Sequence, residues 1–141
     1  MTSPFKELQG AIVGRLKATG AVTAIVDDRV YDHVPRASTG EVSAKFPFVG
    51  ISSFSGLTED ADCIPGMDIA IDVDCWSQKL GFPEVHDLSE AVKQALHDDD
   101  TLTLSNNALA NFQHRETRAF RDPDGVTSHA VLTFSAFVEQ P

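Results

Sequence analysis

From Met67 to Trp76, apolar and polar residues alternate without a break. Met67, Ile69, Ile71, Val73 and Cys75 fall on one side, and Asp68, Ala70, Asp72, Asp74 and Trp76 on the other. Successive side chains of a strand point to opposite faces, so this run dictates a strand with one buried and one open face. A strand of that kind needs neighbours to pair with and a layer to cover its apolar side. The rest of the chain has to supply both.

Helical cover is written in two places. Ser3 followed by Pro4 is a helix start: the hydroxyl caps free amides, and the proline's missing N–H costs nothing there. Phe5, Leu8, Ile12 and Leu16 then recur at helical spacing, with Gln9 and Lys17 facing away. Gly20 is expected to end this helix, because glycine accepts the left-handed backbone of a helix stop. Val22 to Val26 adds one further helical turn or two, closing at Asp27 and Asp28. Pro83 opens the second long helix, whose buried stripe is Val85, Leu88, Val92, Ala95 and Leu96. Three aspartates, Asp98 to Asp100, would oppose the helix dipole, so this helix stops near His97.

The remaining strands are shorter or less regular. Arg29 to Val34 is expected to be a short strand ending at Pro35, and Phe46 to Phe54 a longer one. Arg36 to Lys45 reads as a loop, and Ser55 to Gly66 as a second loop, mobile or ordered by a partner. Leu102 and Leu104 point to a brief strand before a turn at Ser105–Asn107. The last third forms a hairpin: Phe112 to Phe120, a turn at Asp122-Pro123-Asp124-Gly125, and Val126 to Val138. Proline early and glycine late supply the backbone angles such a turn requires. On the final strand Ala130, Leu132, Phe134, Ala136 and Val138 share a face. The expected fold is α+β: a mostly antiparallel sheet, two main helices packed on one face, and a long C-terminal β-hairpin. With 141 residues and no internal repeat, residues 1–141 are expected to form one domain.

Charge narrows the partners. Twenty-one acidic against eleven basic side chains give a formal charge of −10, a field that repels nucleic acid backbone and anionic lipid. No apolar run is long enough to span a bilayer and no export signal is visible, so a cytosolic, non-membrane protein is expected. Cys63 and Cys75 then read as unpaired thiols.

A search for chemistry finds little. His86 and His97 share a helix face but lie too far apart to share an ion. His97 with Asp98, Asp99 and Asp100 lacks ligand spacing, and His33, His114 and His129 are isolated. Ser128 and His129 are strand neighbours and point apart. Neither a CxxC motif, a GxSxG elbow nor a phosphate-cradling glycine loop is present. Asp68, Asp72 and Asp74 could serve as paired carboxylates, but they are expected to meet Arg115, Arg118 or Arg121 on a neighbouring strand, or to line a solvated surface. An enzyme would have to be a small hydrolase or isomerase using Asp72, Asp74 and a histidine; a cytosolic adaptor module is another alternative. No catalytic residue, metal or cofactor is expected.

Several segments together carry a resemblance. They are the leading amphipathic helix, Arg29-Val30-Tyr31-Asp32-His33-Val34-Pro35, Phe46-Pro47-Phe48-Val49 and Val73-Asp74-Cys75-Trp76-Ser77. The helix with Ala91-Val92-Lys93-Gln94-Ala95-Leu96, the turn Arg121-Asp122-Pro123-Asp124-Gly125 leading to His129-Ala130-Val131, and the strand Phe134-Ser135-Ala136-Phe137-Val138-Glu139 complete it. In this order they resemble the tail-completion, or tail-terminator, proteins of long-tailed phages and phage-derived gene-transfer particles. The resemblance implies a structural virion protein without catalytic residues. It would assemble in the bacterial cytoplasm as a homo-oligomeric ring, usually a hexamer, at the head-proximal end of the tail. Its partners would be further copies of itself, the tail tube protein and a head-completion or stopper protein of the connector, with DNA passing through the channel. An acidic surface suits such a channel. The contacts are then expected in the loop Ser52–Gly66, through Thr58, Glu59, Asp60 and Asp62, and in the hairpin tip Arg121–Val126, through Arg121, Asp122 and Asp124.

Overall fold

A computed structural model describes residues 3–60, 64–97 and 102–140. Helix α1 (Pro4–Ala18) begins as its sequence dictates, with the Lys6 amide donating to Ser3 Oγ at 3.4 Å and Pro4 in the first turn. Leu8, Ile12 and Leu16 are fully buried. Gly20 does not stop α1; it opens α2 (Gly20–Val26). The break belongs to Thr19, whose extended backbone separates the helices. Its hydroxyl donates to the Arg15 carbonyl at 2.7 Å, satisfying a carbonyl of the last turn of α1.

Five strands form one sheet: β1 (Val30–Tyr31), β2 (Phe48–Thr58), β3 (Gly66–Ser77), β4 (Ala108–Arg121) and β5 (Ser128–Glu139), in the order β1-β2-β3-β5-β4. All pairings are antiparallel except β1 with β2. Helix α3 (Pro83–Leu96) joins β3 to β4 and, with α1 and α2, covers a single face of the sheet. The expected α+β architecture and C-terminal hairpin are therefore present. Ile69, Ile71, Val73 and Cys75 of β3 and Ala130, Leu132, Phe134, Ala136 and Val138 of β5 face this cover and are buried.

Four further local expectations fail, each for a visible reason. The strand expected over Arg29–Val34 is only Val30–Tyr31. Beyond it Val34 turns over Gly50, where a Cβ would sit 3.2 Å from Val34 Cγ2. Ser55 to Thr58 is strand, not loop. These four residues pair with Ala70, Ile69, Asp68 and Met67, so regular pairing overrides the weak apolar content. Leu102 and Leu104 are not in a strand; they anchor an extended connection to the core, with Leu102 buried. The aspartates of β3 do not meet Arg115, Arg118 or Arg121, because β5 lies between β3 and β4. Asp72 instead accepts from Ser53 Oγ at 3.0 Å and Thr133 Oγ1 at 2.7 Å. Asp98 to Asp100 lie outside the described residues.

The open face of the sheet changes character along β3. Asp68 and Ala70 are exposed and Asp72 is half-buried, but Asp74 is buried and Trp76 is covered by aromatic neighbours. One end of this face is thus acidic and wet, the other aromatic and closed.

Candidate functional site

The two segments expected to make contacts stand at opposite ends of the sheet. Thr58 pairs with Met67 at one end of β3, and Ser128 pairs with Ser77 at the other. At the usual strand rise these ends lie about 33 Å apart.

At the β2–β3 end, Thr58, Glu59 and Asp60 are exposed, while Asp62 lies outside the described residues. On either side of residues 61–63 the chain is tied to its own fold. The Glu59 amide donates to the Gly66 carbonyl at 2.9 Å and the Gly66 amide to Asp60 Oδ1 at 3.1 Å. The Gln140 amide pins Pro65 from the C-terminal side. Gly66 is required here: a Cβ would fall 2.6 Å from the Glu59 carbonyl and 2.8 Å from the Phe137 ring.

At the β4–β5 end, the three expected contact residues already have work inside the subunit. Asp124 Oδ1 accepts from the amides of Val126 and Thr127, and Oδ2 from the Thr127 hydroxyl at 2.7 Å. These hydrogen bonds hold its carboxyl below the usual aspartate range. Gly125 takes a left-handed φ of 74°, as the turn pattern demands. The Arg121 guanidinium lies 4.4 Å from the centre of the Phe82 ring, on the helical side. Asp122 faces the open side, 4.0 Å from His129 Nδ1.

His129 is the residue that sequence spacing left isolated and the fold makes central to this end. Its ring stacks on Trp76 at 3.6 Å and meets Phe120 edge-on at 4.8 Å. Nε2 lies 3.1 Å from Asp74 Oδ2 without the alignment of a hydrogen bond. Asp74 also accepts from Ser52 Oγ. A buried histidine beside a carboxylate is half of a hydrolytic arrangement, but Ser128 Oγ points to the other face and donates to the Gly81 carbonyl. The pair lies across β3 and β5 beneath the tip. Beside it runs an open groove of about 320 Å³ with Val34, Phe46, Phe48 and Trp76 on its walls and Asp122 and Asp124 at its rim.

Two further histidines come together unannounced by the sequence. His97, the C-cap of α3, accepts the His114 amide of β4 on Nδ1 at 2.9 Å. His114 is held below the ordinary histidine range by burial, with Lys93 and His97 adding to it. Burial likewise pushes the free Cys75 thiol up, with Asp74 adding to it, so it behaves as a small hydrophobe. Among the described residues, no three His, Cys, Asp or Glu side chains are placed to share a metal ion, and no helix is long and apolar enough to cross a membrane.

Comparison with known proteins adds the following. The family described as tail completion protein gp17 matches residues 10–139. Among solved structures, a chain of the virion of a native gene transfer agent (GTA) particle shares the fold, with a TM-score of 0.86 and 24% sequence identity over 99% of each chain. No curated protein sequence matches.

Proposed function

Because the chain belongs to the tail completion protein gp17 family and is therefore a structural protein of a phage-type tail, we propose that it forms a homo-oligomeric ring, a hexamer, at the head-proximal end of the tail tube. There it ends tube growth and presents the surface that joins the tail to the head. In this reading the 141 residues act as one tail-completion domain. It assembles in the bacterial cytoplasm and remains in the particle's tail.

The family match over residues 10–139 carries the proposal. The separation of the two hairpin tips supports it. A ring subunit at a junction must meet the tube on one side and the connector on the other, and the tips Thr58–Asp60 and Arg121–Asp124 face opposite ends of the strands. One end therefore serves the tail tube protein and the other the head-completion or stopper protein. A ring of identical subunits closes by rotation through heterologous contacts, one patch meeting a different patch. The formal charge of −10 fits a passage through which DNA slides without sticking.

The test is particle assembly without the chain. Tails that grow past their normal length, or that stop at normal length yet fail to join heads, are the expected outcomes. Normal, head-joined tails in its absence would rule the proposal out.

A further inference from the structure

The sheet ends in two edges that no strand among the described residues covers. β1 protects β2 only at Val49 and Gly50, so Ser53 to Thr58 has no partner on its outer side. On the far side β4 has none along its length among the described residues, where its one capped outer amide is that of His114, held by His97. Beyond the bulge that follows His114, Glu116 to Arg121 is exposed on both faces.

The two edges differ in how they are guarded. Soluble proteins blunt free edges with charge, proline, bulges or cover. The β4 edge carries Arg115, Glu116, Arg118 and Arg121, which oppose a second β4. The β2 edge from Ser53 to Thr58 carries neither charge nor proline, and its Leu57 is 75% exposed. An unguarded edge of that composition persists in a soluble chain when something specific covers it.

We propose that the free edge of β4 in one copy pairs antiparallel with the free edge of β2 in the next, so that the sheet continues from subunit to subunit. This rests on the ring reading above and names its interface. Three observations favour a second copy as the occupant. Directions match: β2, β3, β5 and β4 alternate, so rotating a copy about an axis near the strand direction brings β4 against an oppositely running β2. Charges match: Arg115 and Arg118 arrive beside Asp68 of the neighbouring β3 and Glu59 and Asp60 at its tip.

The third match is geometric. Residues opposite each other in a pair share a face, and Ser55, Leu57 and Arg118 all lie on the face away from the helices. Ser53 shares that face, but setting Arg118 against it would leave Arg115 opposite Gly56, short of Glu59 and Asp60, so the charge match sets Arg118 against Ser55 or Leu57. Ser55 is level with Ala70 of β3, Leu57 with Asp68, and Arg118, through Val131, with Asp74. Each join thus shifts the strands by four or six residues, about 13 or 20 Å, over about 19 Å of sheet width. The resulting strand tilt is about 35–45°, the tilt at which sheets close on themselves.

Cysteine trapping tests this in tails assembled with the full chain, in a Cys63→Ser background. Under mild oxidation, Arg118→Cys combined with either Ser55→Cys or Leu57→Cys should give a disulfide ladder rising from dimer to the closed ring. Thr117→Cys with Ser55→Cys, which lie on opposite faces, should give none. Arg115→Glu with Arg118→Glu should weaken the ring by at least tenfold. Native mass measurement separates the two claims. Rings without a ladder from either pair would overturn the edge pairing and leave the ring reading standing. Absence of any ring, with or without tail tubes, would remove both.

Discussion

The Glu7 carboxylate of α1 accepts the side-chain amide of Asn107 at 2.6 Å, across a separation of 100 residues. Its two oxygens also take the backbone amides of Asn106 and Asn107 and the Asn106 side chain. The start of the first helix is thereby clamped to the start of β4. The Ser-Asn-Asn turn was visible in the sequence, but its acceptor was not.

This clamp is pH-dependent with a defined sign. Partial desolvation raises the Glu7 carboxyl, but the hydrogen bonds from Asn106 and Asn107 outweigh it and hold the group below its ordinary 4.5. A carboxyl depressed in the folded state contributes stability that is present above the unfolded value. That contribution fades as pH falls below about 4.5 and is gone once the folded value is crossed. Glu7→Gln should therefore melt lower than the parent at pH 7, with the difference shrinking towards pH 3. Thermal melts across that range decide it; a constant difference would mean that the carboxylate charge contributes nothing.

Leu132 is fully buried at the centre of β5, facing the helices. Leu132→Ala should cost about 2–5 kcal/mol in chemical denaturation, since the cavity adds to the lost transfer energy. A loss under about 0.5 kcal/mol would put the residue on the surface.

Gly66 has backbone, not only a movable side chain, where a Cβ would go. Gly66→Ala should destabilise the fold by about 1–3 kcal/mol, the usual range for forced overpacking. Faster amide exchange at Glu59 should accompany it, because the Glu59-to-Gly66 bond has to open. Unchanged exchange there would show that the tip tolerates the added methyl.

His97 protects the only capped amide on the outer edge of β4 among the described residues. His97→Ala should leave the helix intact and speed His114 amide exchange by the equivalent of about 0.5–1.5 kcal/mol, the net value of one hydrogen bond. Hydrogen exchange read by NMR gives the answer directly.

Charge reversal at the β2–β3 tip, Glu59→Lys, should change stability by no more than about 0.5 kcal/mol. Under the proposed function it should still yield overlong tails or tails without heads. Electron microscopy of assembled particles showing normal tails would place the end contact elsewhere on the domain.

Periodicity carried far in this chain. The alternation from Met67 to Cys75, the stripe Leu8-Ile12-Leu16, the stripe Val85-Leu88-Val92-Leu96 and the even-numbered face of β5 all pack as their spacing dictates. So do the Ser3-Pro4 start and the Asp122–Gly125 turn. Each is decided within a few residues, by which side chains a helix or strand can bury together and which backbone angles a residue accepts. The family resemblance, too, was carried by such local elements in a fixed order.

What the sequence could not state was who stands beside whom. The order β1-β2-β3-β5-β4 puts β5 between the aspartates of β3 and the arginines of β4, leaving Asp72 to hydroxyls and Arg121 to Phe82. The same order stacks His129 on Trp76, brings His114 to His97, extends β2 to Thr58 and leaves two edges open. These relations join residues distant in the chain, and their energy exists only once the backbone pairing is complete. Local pattern determines which face of each element is apolar; only the closed sheet determines which polar groups find partners and which edges are left to a neighbour.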